Sequence, residues 1–185
     1  MALPEYPFMD IEDYLLLERH SHNARYEYFD GELRMLAGGS LAYSLIKTNL
    51  TSIIHGLLRG SSCTIYDSDA RVKLSASRYV YPDATISCDP RDQEQDEEIR
   101  YPRVIVEVLS PTTEPIDRGR NFTYYRECPT LQEYVMIDTR SMHIEVYRRE
   151  ERGWMLYTFG PQSEIELQGI NIRFSIEDVY ERIKL

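Results

Sequence analysis

Apolar residues in the first sixty positions follow helical spacing twice, with a strand-like stretch between. A helix is predicted over residues 10–19, with Asp10 at its N-cap position, and a longer one over residues 40–60, where apolar positions recur every three or four residues. Between them, residues 25–29 and 32–36 carry aromatic and charged side chains around Asp30-Gly31, the dipeptide typical of a two-residue hairpin turn. The N-terminal part is therefore predicted to be helix, hairpin and helix.

Beyond residue 62 the spacing changes to that of strands. The predicted strands are residues 63–66, 69–74, 79–87, 103–109, 132–138, 143–149, 154–159 and 170–174. Two further helices are predicted, one capped by Asp117 and ending near residue 127, the other capped by Ser175 and ending near residue 184. The last long strands form an antiparallel meander. The pattern predicts one α/β (α+β) domain spanning residues 1–185.

One carboxylate interrupts the most strand-like stretch of the chain. Glu107 lies in the apolar run 103–109, where an ionised side chain is costly unless it is paired or bound to a cation. If the strands that carry Asp83 and Glu107 are neighbours, their carboxylates and a backbone carbonyl form a ligand set suited to Mg²⁺. An ion pair of Glu107 with Arg71 or Arg103 explains the same spacing equally well.

Two other acidic features have simpler interpretations. Glu27 lies between aromatic residues on the first hairpin strand, and its spacing alone favours a solvated strand position. Residues 89–100 are crowded with Asp, Glu, Gln and Arg but lack the spacing and the glycine of a calcium-binding EF-hand loop. We therefore expect that stretch to be a loop in solvent.

Composition narrows the classes of function. The formal net charge of -10 argues against a general polyanion binder but leaves room for a local basic groove. Cys63, Cys88 and Cys128 show no paired CxxC spacing, which predicts reduced, buried thiols in a cytoplasmic protein. We expect no leader peptide and no membrane segment, since no apolar run approaches the ~18 residues that a spanning helix needs.

Motifs between residues 25 and 150 stand in an order that is specific as a set. They are Tyr26-Glu27, Asp30-Gly31, Met35, Tyr81-Pro82-Asp83, Glu107-Val108-Leu109-Ser110-Pro111, Asp117-Arg118 through Tyr125, Leu131-Gln132-Glu133-Tyr134-Val135 and Asp138. This order resembles the Uma2 (DUF820) family of nucleases, which has many cyanobacterial members. That family belongs to the PD-(D/E)XK, restriction-endonuclease-like superfamily.

The resemblance implies a fold and a site. The fold would be a single restriction-endonuclease-like domain, a mixed central β-sheet flanked by helices, here with an extra antiparallel β-meander. Asp83 and Glu107 would bind Mg²⁺ (or Mn²⁺) with the carbonyl of Val108, and Glu27 would be the acidic residue that some members add. The implied reaction is in-line attack of a metal-activated water on a DNA phosphodiester.

The chain departs from the family pattern at its lysine. Leu109 stands where the superfamily has a lysine, and Asn121 stands where Uma2 members have one on the following helix. Arg120 would point about 100° away around that helix, from the 3.6-residue repeat. Lys73, on the strand before the first carboxylate, is another candidate, although a solvated face accounts for it as well. Tyr43 replaces a histidine common among relatives.

Three functions remain open on this sequence. The first is a Mg²⁺-dependent DNA endonuclease. The second is a catalytically impaired nuclease fold that binds nucleic acid or protein, in one form as a homodimer. The third is a structural or interaction protein in which Glu107 pairs with an arginine and no metal binds. A basic side chain beside Glu107 would favour the third function over the other two.

Overall fold

The computed structural model describes residues 8–21, 24–36, 38–94 and 96–185. Its helices are α1 Ile11–His20, α2 Leu41–Leu57, α3 Pro90–Gln93, α4 Glu114–Ile116, α5 Phe122–Glu127 and α6 Ile176–Val179, with a π-helical turn at Asp117–Asn121 and a 3₁₀ turn at Gln168–Ile170. The first two predicted helices are confirmed. Ser40 caps α2 by accepting the Tyr43 N–H at 3.2 Å, whereas the Asp10 side chain makes no capping bond at α1. Among the helices of the described residues, none combines the length and apolar character needed to cross a bilayer.

The strands form three sheets. They are β1 Tyr26–Phe29, β2 Glu32–Met35, β3 Thr64–Asp67, β4 Val72–Ser75, β5 Arg78–Val80, β6 Ala84–Ser87, β7 Pro102–Leu109, β8 Glu133–Asp138, β9 Ile144–Glu150, β10 Gly153–Phe159, β11 Glu164–Leu167 and β12 Ile172–Ser175. The Asp30-Gly31 turn joins β1 to β2 as predicted, with positive φ angles at both residues. β11 is missing from the prediction, because its four alternating residues give too short a periodic signal.

The central sheet has six strands in the order β10-β9-β8-β7-β6-β3. Neighbouring strands are antiparallel except β7 and β8, which are parallel. β8, β9 and β10 form the predicted meander, whereas residues 110–132 carry the chain from β7 across to β8 and contain α4, the π-helical turn and α5. The predicted mixed central sheet flanked by helices is confirmed.

Both faces of the central sheet are covered. The buried stripe of α2, formed by Ile46, Leu50 and Ile54, packs on one face together with α6 and the β11–β12 hairpin. On the other face, Ile105 and Leu109 of β7 pack towards α5 and towards a four-stranded sheet of order β2-β1-β5-β4. Each fully buried aliphatic side chain contributes about 1.5–3 kcal/mol, so these two layers hold the sheet in place.

The predicted strand over residues 79–87 is wrong as a single strand. β5 ends at Val80 in the four-stranded sheet, and β6 begins at Ala84 in the central sheet. Pro82 lies between them and has no N–H to donate to a ladder, so the chain leaves one sheet there and enters the other. Asp83 therefore lies where the two sheets meet.

Two predicted helix boundaries are also wrong. The segment around Asp117 turns helical earlier, at Glu114, because Pro115 fits the first turn of a helix, where no N–H is needed. Asp117 is consequently inside the helical segment and opens the π-helical turn. Ser175 caps the C-terminal helix as predicted, but that helix ends at Val179 rather than near residue 184.

The acidic stretch 89–100 is more ordered than the solvated loop predicted for it, apart from residue 95, which lies outside the described residues. Asp92 is buried and accepts the backbone N–H groups of Arg100 at 2.8 Å and Tyr101 at 3.1 Å. Glu98 pairs with Arg71 at 3.3 Å. These carboxylates hold the stretch against the rest of the fold.

The prediction of reduced cysteines is wrong for two of the three. Cys63 precedes β3, Cys88 follows β6, and a disulfide joins them. β3 and β6 are antiparallel neighbours with Thr64 opposite Ser87, so the register brings the two sulfurs together. A separation of 25 residues along the chain gives no such signal without the strand pairing. Cys128 is a free, buried thiol.

Candidate functional site

Asp83 and Glu107 face each other across two neighbouring strands. β6 and β7 are antiparallel with Ala84 opposite Val106, and continuing that register by one residue sets Asp83 opposite Glu107. Directly opposed residues of an antiparallel pair project from the same face. The strands that bring the two carboxylates are therefore neighbours, as the sequence predicts.

Glu107 takes the place of an apolar residue in the buried row of β7, between Ile105 and Leu109. Tyr125 of α5 donates its hydroxyl hydrogen to Oε1 of Glu107 at 2.7 Å. Burial raises the pKa of Glu107 well above its ordinary value, and the nearby negative charge of Asp117 adds to the rise. The side chain is held by a hydrogen bond but is not neutralised by it.

The alternative of an arginine beside Glu107 is wrong. Arg71 pairs with Glu98, and Nη1 of Arg103 donates to the carbonyl of Gly169 at 3.4 Å. Within the described residues, no basic side chain lies within 4.0 Å of a carboxylate oxygen of Glu107. Its charge therefore has no fixed cationic partner.

Asp83 is oriented through both of its oxygens. The backbone N–H of Val108 donates to Oδ2 at 2.8 Å, and the hydroxyl of Tyr43 donates to Oδ1. Burial raises the pKa of Asp83, against the lowering effect of the Tyr43 and Val108 hydrogen bonds and of the Lys47 charge. Each carboxylate oxygen keeps a second lone pair for another ligand. The contact observed for Val108 is thus made by its N–H, while the predicted role of its carbonyl stays a prediction.

Glu27 is buried, so the solvated position favoured by its spacing is wrong. Its Oε1 accepts the N–H of Tyr81 at 3.3 Å, and Nη1 of Arg34, the residue opposite it in the hairpin, lies 3.4 Å from Oε2. Oε2 has no hydrogen-bond donor. Burial raises the pKa of Glu27 to about 7, although the Arg34 charge acts to lower it.

Asp117 and Asn121 enter the site from the π-helical turn. Nδ2 of Asn121 donates to Oδ1 of Asp117 at 2.9 Å, and both side chains are buried. Burial raises the pKa of Asp117 to about 6. Because Asp117 is predicted as a helix cap, sequence reasoning misses it as a site residue. Its position four residues before Asn121 is the signal that could have placed both on one face.

A cavity of about 260 Å³ collects these groups. Its polar wall includes Glu27, Arg34, Tyr43, Asp83, Glu107, Asp117 and Asn121. The four acidic side chains are between 3% and 8% exposed, so their charges are concentrated where water screens them weakly.

The cavity fits a divalent cation that is completed by other ligands. In the part of the chain that the structure describes, no three Asp, Glu, His or Cys side chains form a cage of their own. Mg²⁺ uses one or two carboxylates and fills its other positions with carbonyls, water and substrate oxygens, so Asp83 and Glu107 suffice. Asn121 Oδ1 is a buried acceptor without a donor, and Glu27 Oε2 has the charge of Arg34 3.4 Å away but accepts no hydrogen bond. Unsatisfied acceptors among carboxylates of raised pKa are the groups that a cation would satisfy.

Lys73 is not brought to this cavity. Its Nζ lies 3.5 Å from Oε1 of Glu98 and 5.2 Å from the ring centre of Tyr79, and it is absent from the cavity wall. Arg120 is also engaged elsewhere, with Nη1 3.0 Å from Oε2 of Glu32. Neither predicted substitute for the missing lysine therefore touches the four carboxylates.

Two basic residues near the carboxylates escape sequence reasoning. The position of Arg34 beside Glu27 follows from the Asp30-Gly31 turn, because a two-residue hairpin loop sets these two residues opposite each other. Lys47 lies one helical turn after Tyr43 on α2, and its charge acts on Asp83. The hairpin register could have identified Arg34, whereas Lys47 depends on how α2 packs.

Comparisons with known proteins agree with this architecture. The family model Uma2, described as "Putative restriction endonuclease", matches residues 11–177. The uncharacterized protein slr1290 of Synechocystis sp. (strain ATCC 27184 / PCC 6803 / Kazusa) is 34% identical over 177 residues, which are 95% of this chain and 93% of the relative. From the same organism, the uncharacterized protein sll1609 is 30% identical over 151 residues, 79% of this chain and 85% of the relative.

A solved structure has the same fold. The crystal structure of a putative nuclease belonging to DUF820 from Anabaena variabilis ATCC 29413 aligns with a TM-score of 0.77 over 93% of this chain and 97% of that one. The two sequences are 18% identical over the alignment, a level at which the likeness establishes the fold. The predicted fold class is confirmed by this likeness and by the sheet topology.

Proposed function

Because this chain belongs to the Uma2 family, we propose that it is a Mg²⁺-dependent endonuclease that hydrolyses DNA phosphodiester bonds. The observation that carries the proposal is the cavity in which Glu27, Asp83, Glu107 and Asp117 converge, where no basic side chain of the described residues forms an ion pair with Asp83 or Glu107. Four buried carboxylates with raised pKa values destabilise the fold unless protons or a cation compensate them. The energetic cost of burying these carboxylates therefore supports a role for them in binding the cation.

Asp83 and Glu107 would hold the ion, and neighbouring groups fix their geometry. Tyr43 and the N–H of Val108 orient Asp83, and Tyr125 orients Glu107. When bound, Mg²⁺ would supply Lewis-acid activation of a water and neutralise charge that develops on the phosphate. Mn²⁺ has similar oxygen ligands and is expected to replace it.

Glu27 is suited to move a proton in this reaction. In the hydrolysis, water attacks phosphorus, one P–O bond breaks, and the proton lost by the water must be accepted nearby. The pKa of Glu27 is about 7, and its Oε2 has no hydrogen-bond donor. This pKa belongs to the cation-free cavity, and a bound cation would lower it and favour the carboxylate, which is the form that accepts a proton.

The test is cleavage of supercoiled plasmid DNA with Mg²⁺, Mn²⁺ or EDTA by wild type and Glu107→Gln. The glutamine keeps the size of the side chain and the acceptor for Tyr125 while removing the charge. We expect cleavage that needs the cation and falls by about 10²–10³ in the variant, the loss typical of one electrostatic group. Equal cleavage by both proteins, or none by wild type, would count against the proposal.

A second candidate function is a nuclease fold that binds nucleic acid or protein without cutting. The observation that favours it is Asn121, an uncharged amide at the position where the Uma2 motif has a lysine. DNA binding that persists in EDTA, without heat of Mg²⁺ binding in calorimetry and without cleavage, would select this function. Sedimentation of the free protein tests whether it assembles as the homodimer expected of such a module.

A further inference from the structure

A groove of about 610 Å³ opens beside the carboxylate cavity. The two share part of their wall, including Tyr43, Tyr81 and Asp83, so the groove and the cavity adjoin at these residues. Its chemistry differs from that of the cavity. In place of clustered carboxylates, its wall carries the cations Arg25 and Lys47. A negatively charged chain is therefore accommodated better in the groove than in the cavity.

Lys47 is the lysine that the fold brings to Asp83. The sequence contains three lysines, and all lie in the described residues. Lys73 pairs with Glu98, and Lys184 is exposed beyond α6. Lys47 lines the groove together with Asp83, and its positive charge lowers the pKa of that carboxyl. Of the three ammonium groups, only this one is shown to act on the proposed reaction centre.

The charge of Lys47 is not already neutralised. Its Nζ donates to Oγ of Ser68 at 2.9 Å and lies 5.6 Å from the ring centre of Tyr43. In the described residues no carboxylate oxygen is within 4.0 Å of it. Other cations near the site are committed, since Arg25 pairs with Asp69 and Arg34 with Glu27.

DNA needs such a charge to approach this surface. The chain carries a formal net charge of -10, and four of its carboxylates lie close together in the cavity, so a phosphodiester backbone is repelled there. An unpaired ammonium in a groove next to Asp83 offsets that repulsion where the strand would enter. A hydroxyl such as that of Ser68, held beside the ammonium, can donate to a phosphate oxygen as well.

We propose that this groove binds the phosphodiester backbone of the DNA strand beside the scissile bond, and that Lys47 supplies the positive charge that the position of Asn121 lacks. The proposal rests on the proposed function for the identity of the reaction. It deepens that function by assigning the backbone-binding surface and its cation. Lys47 belongs to α2 and lines the groove, whereas Glu107 and Asp117 line the cavity, and Asp83 lines both.

The test compares Lys47→Met and Lys47→Arg with Lys184→Met as the matched control. The binding of a fluorescent DNA oligonucleotide is measured by anisotropy across a salt series, with wild type in EDTA and with the Glu107→Gln background in Mg²⁺. We expect Lys47→Met to weaken binding about 10-fold and to reduce the slope of log K against log salt by about one, the effect of one lost phosphate contact. Lys47→Arg keeps most of the binding, and Lys184→Met keeps both quantities.

Cleavage rates of the same single variants complete the test. Lys47→Met is expected to lose about 10²-fold in rate, with a melting temperature like that of wild type. The proposal is overturned if Lys47→Met binds and cuts like Lys184→Met, or if no DNA binding occurs under either condition. If Lys47-dependent binding is present and wild type does not cut, the binding groove stands and the proposed nuclease activity fails.

Discussion

Asn121 donates from Nδ2 to Oδ1 of Asp117 at 2.9 Å, across one turn of the π-helix. The amide is therefore occupied by one of the four cavity carboxylates and adds no charge to balance them. The amide oxygen of Asn121, Oδ1, is buried and accepts no hydrogen bond. The resemblance to Uma2 implies a lysine at this position, and the uncharged amide leaves the cavity more anionic than a lysine would.

Restoring the lysine is expected to raise activity. An ammonium introduced by Asn121→Lys would lie among the carboxylates and stabilise negative charge in the transition state, so we expect a gain of about 10–10²-fold in the initial rate of Mg²⁺-dependent plasmid cleavage. Asn121→Met is the matched control, because it has similar length and no charge. A lysine variant no faster than the methionine variant would mean that Lys47 or another group already serves the role.

Divalent cations are expected to stabilise the wild-type fold more at pH 8 than at pH 5. At pH 5 the raised pKa values of Glu27, about 7, and Asp117, about 6, leave both protonated, whereas at pH 8 their charges attract the cation. At a concentration 100 times the dissociation constant, the gain is about 2.7 kcal/mol. Thermal melts with Mg²⁺ or Mn²⁺ measure it. An equal rise in the melting temperature of Asp83→Asn on addition of the cation would show that the ion binds elsewhere.

Glu27→Gln is expected to stabilise the cation-free protein at pH 8. The folded pKa of Glu27, about 7, exceeds its ordinary value of 4.5, so the native state binds more protons and stability falls as pH rises through that window. Glutamine removes this loss, a gain on the order of 1–3 kcal/mol, reduced by the lost Arg34 pair. Urea unfolding in EDTA at pH 8 and pH 4.5 should show the gain only at the higher pH. A variant less stable than wild type at pH 8 contradicts the assignment.

Arg148→Met is expected to destabilise the fold by about 3–5 kcal/mol. Arg148 lies 2.8 Å from Oε1 of the fully buried Glu133 and also donates to the carbonyl of Glu166, which ties the central sheet to β11. Removing it leaves a buried charge unpaired. Arg173→Met breaks an exposed pair with Glu166 and should cost less than about 1 kcal/mol. Chemical denaturation of both variants measures the difference, and equal losses would refute the role of burial.

Local patterns predicted the elements of the fold well and their partners less well. The hairpin follows from Asp30-Gly31 and the strand β7 from its apolar run, since both signals lie within a few residues. The break at Pro82 sends β5 and β6 into different sheets, and the Cys63–Cys88 disulfide depends on the register of β3 with β6. Both features arise from pairing between segments that are distant in sequence, and the periodicity of apolar residues carries no information about such pairing.

The same distinction between local patterns and tertiary structure applies to the residues of the site. The cost of a charge in an apolar strand points to Glu107, and a neighbouring strand then supplies Asp83. Asp117 is missed because its sequence context is that of a helix cap. Lys47 is missed because the apolar pattern of α2 predicts which residues pack in the core and says nothing of its polar residues. Burial of Glu27 comes from the way the two sheets meet. The surroundings of Lys47 and the burial of Glu27 need the tertiary structure, whereas the spacing of Asp117 from Asn121 is a local signal.

In the central sheet, the parallel pairing of β7 with β8 is expected to form after the hairpin pairings of the meander that follows it. Hairpins such as β8–β9 close over short loops, whereas β7 meets β8 only after residues 110–132 have crossed the sheet. Pairings between distant segments form late in folding because the loop entropy is paid before the contacts form. Glu107 lies on β7, and Asp117 lies on the crossover itself. A chain still emerging from synthesis therefore lacks an assembled cavity, and the proposed cleavage of DNA would begin only once folding is finished.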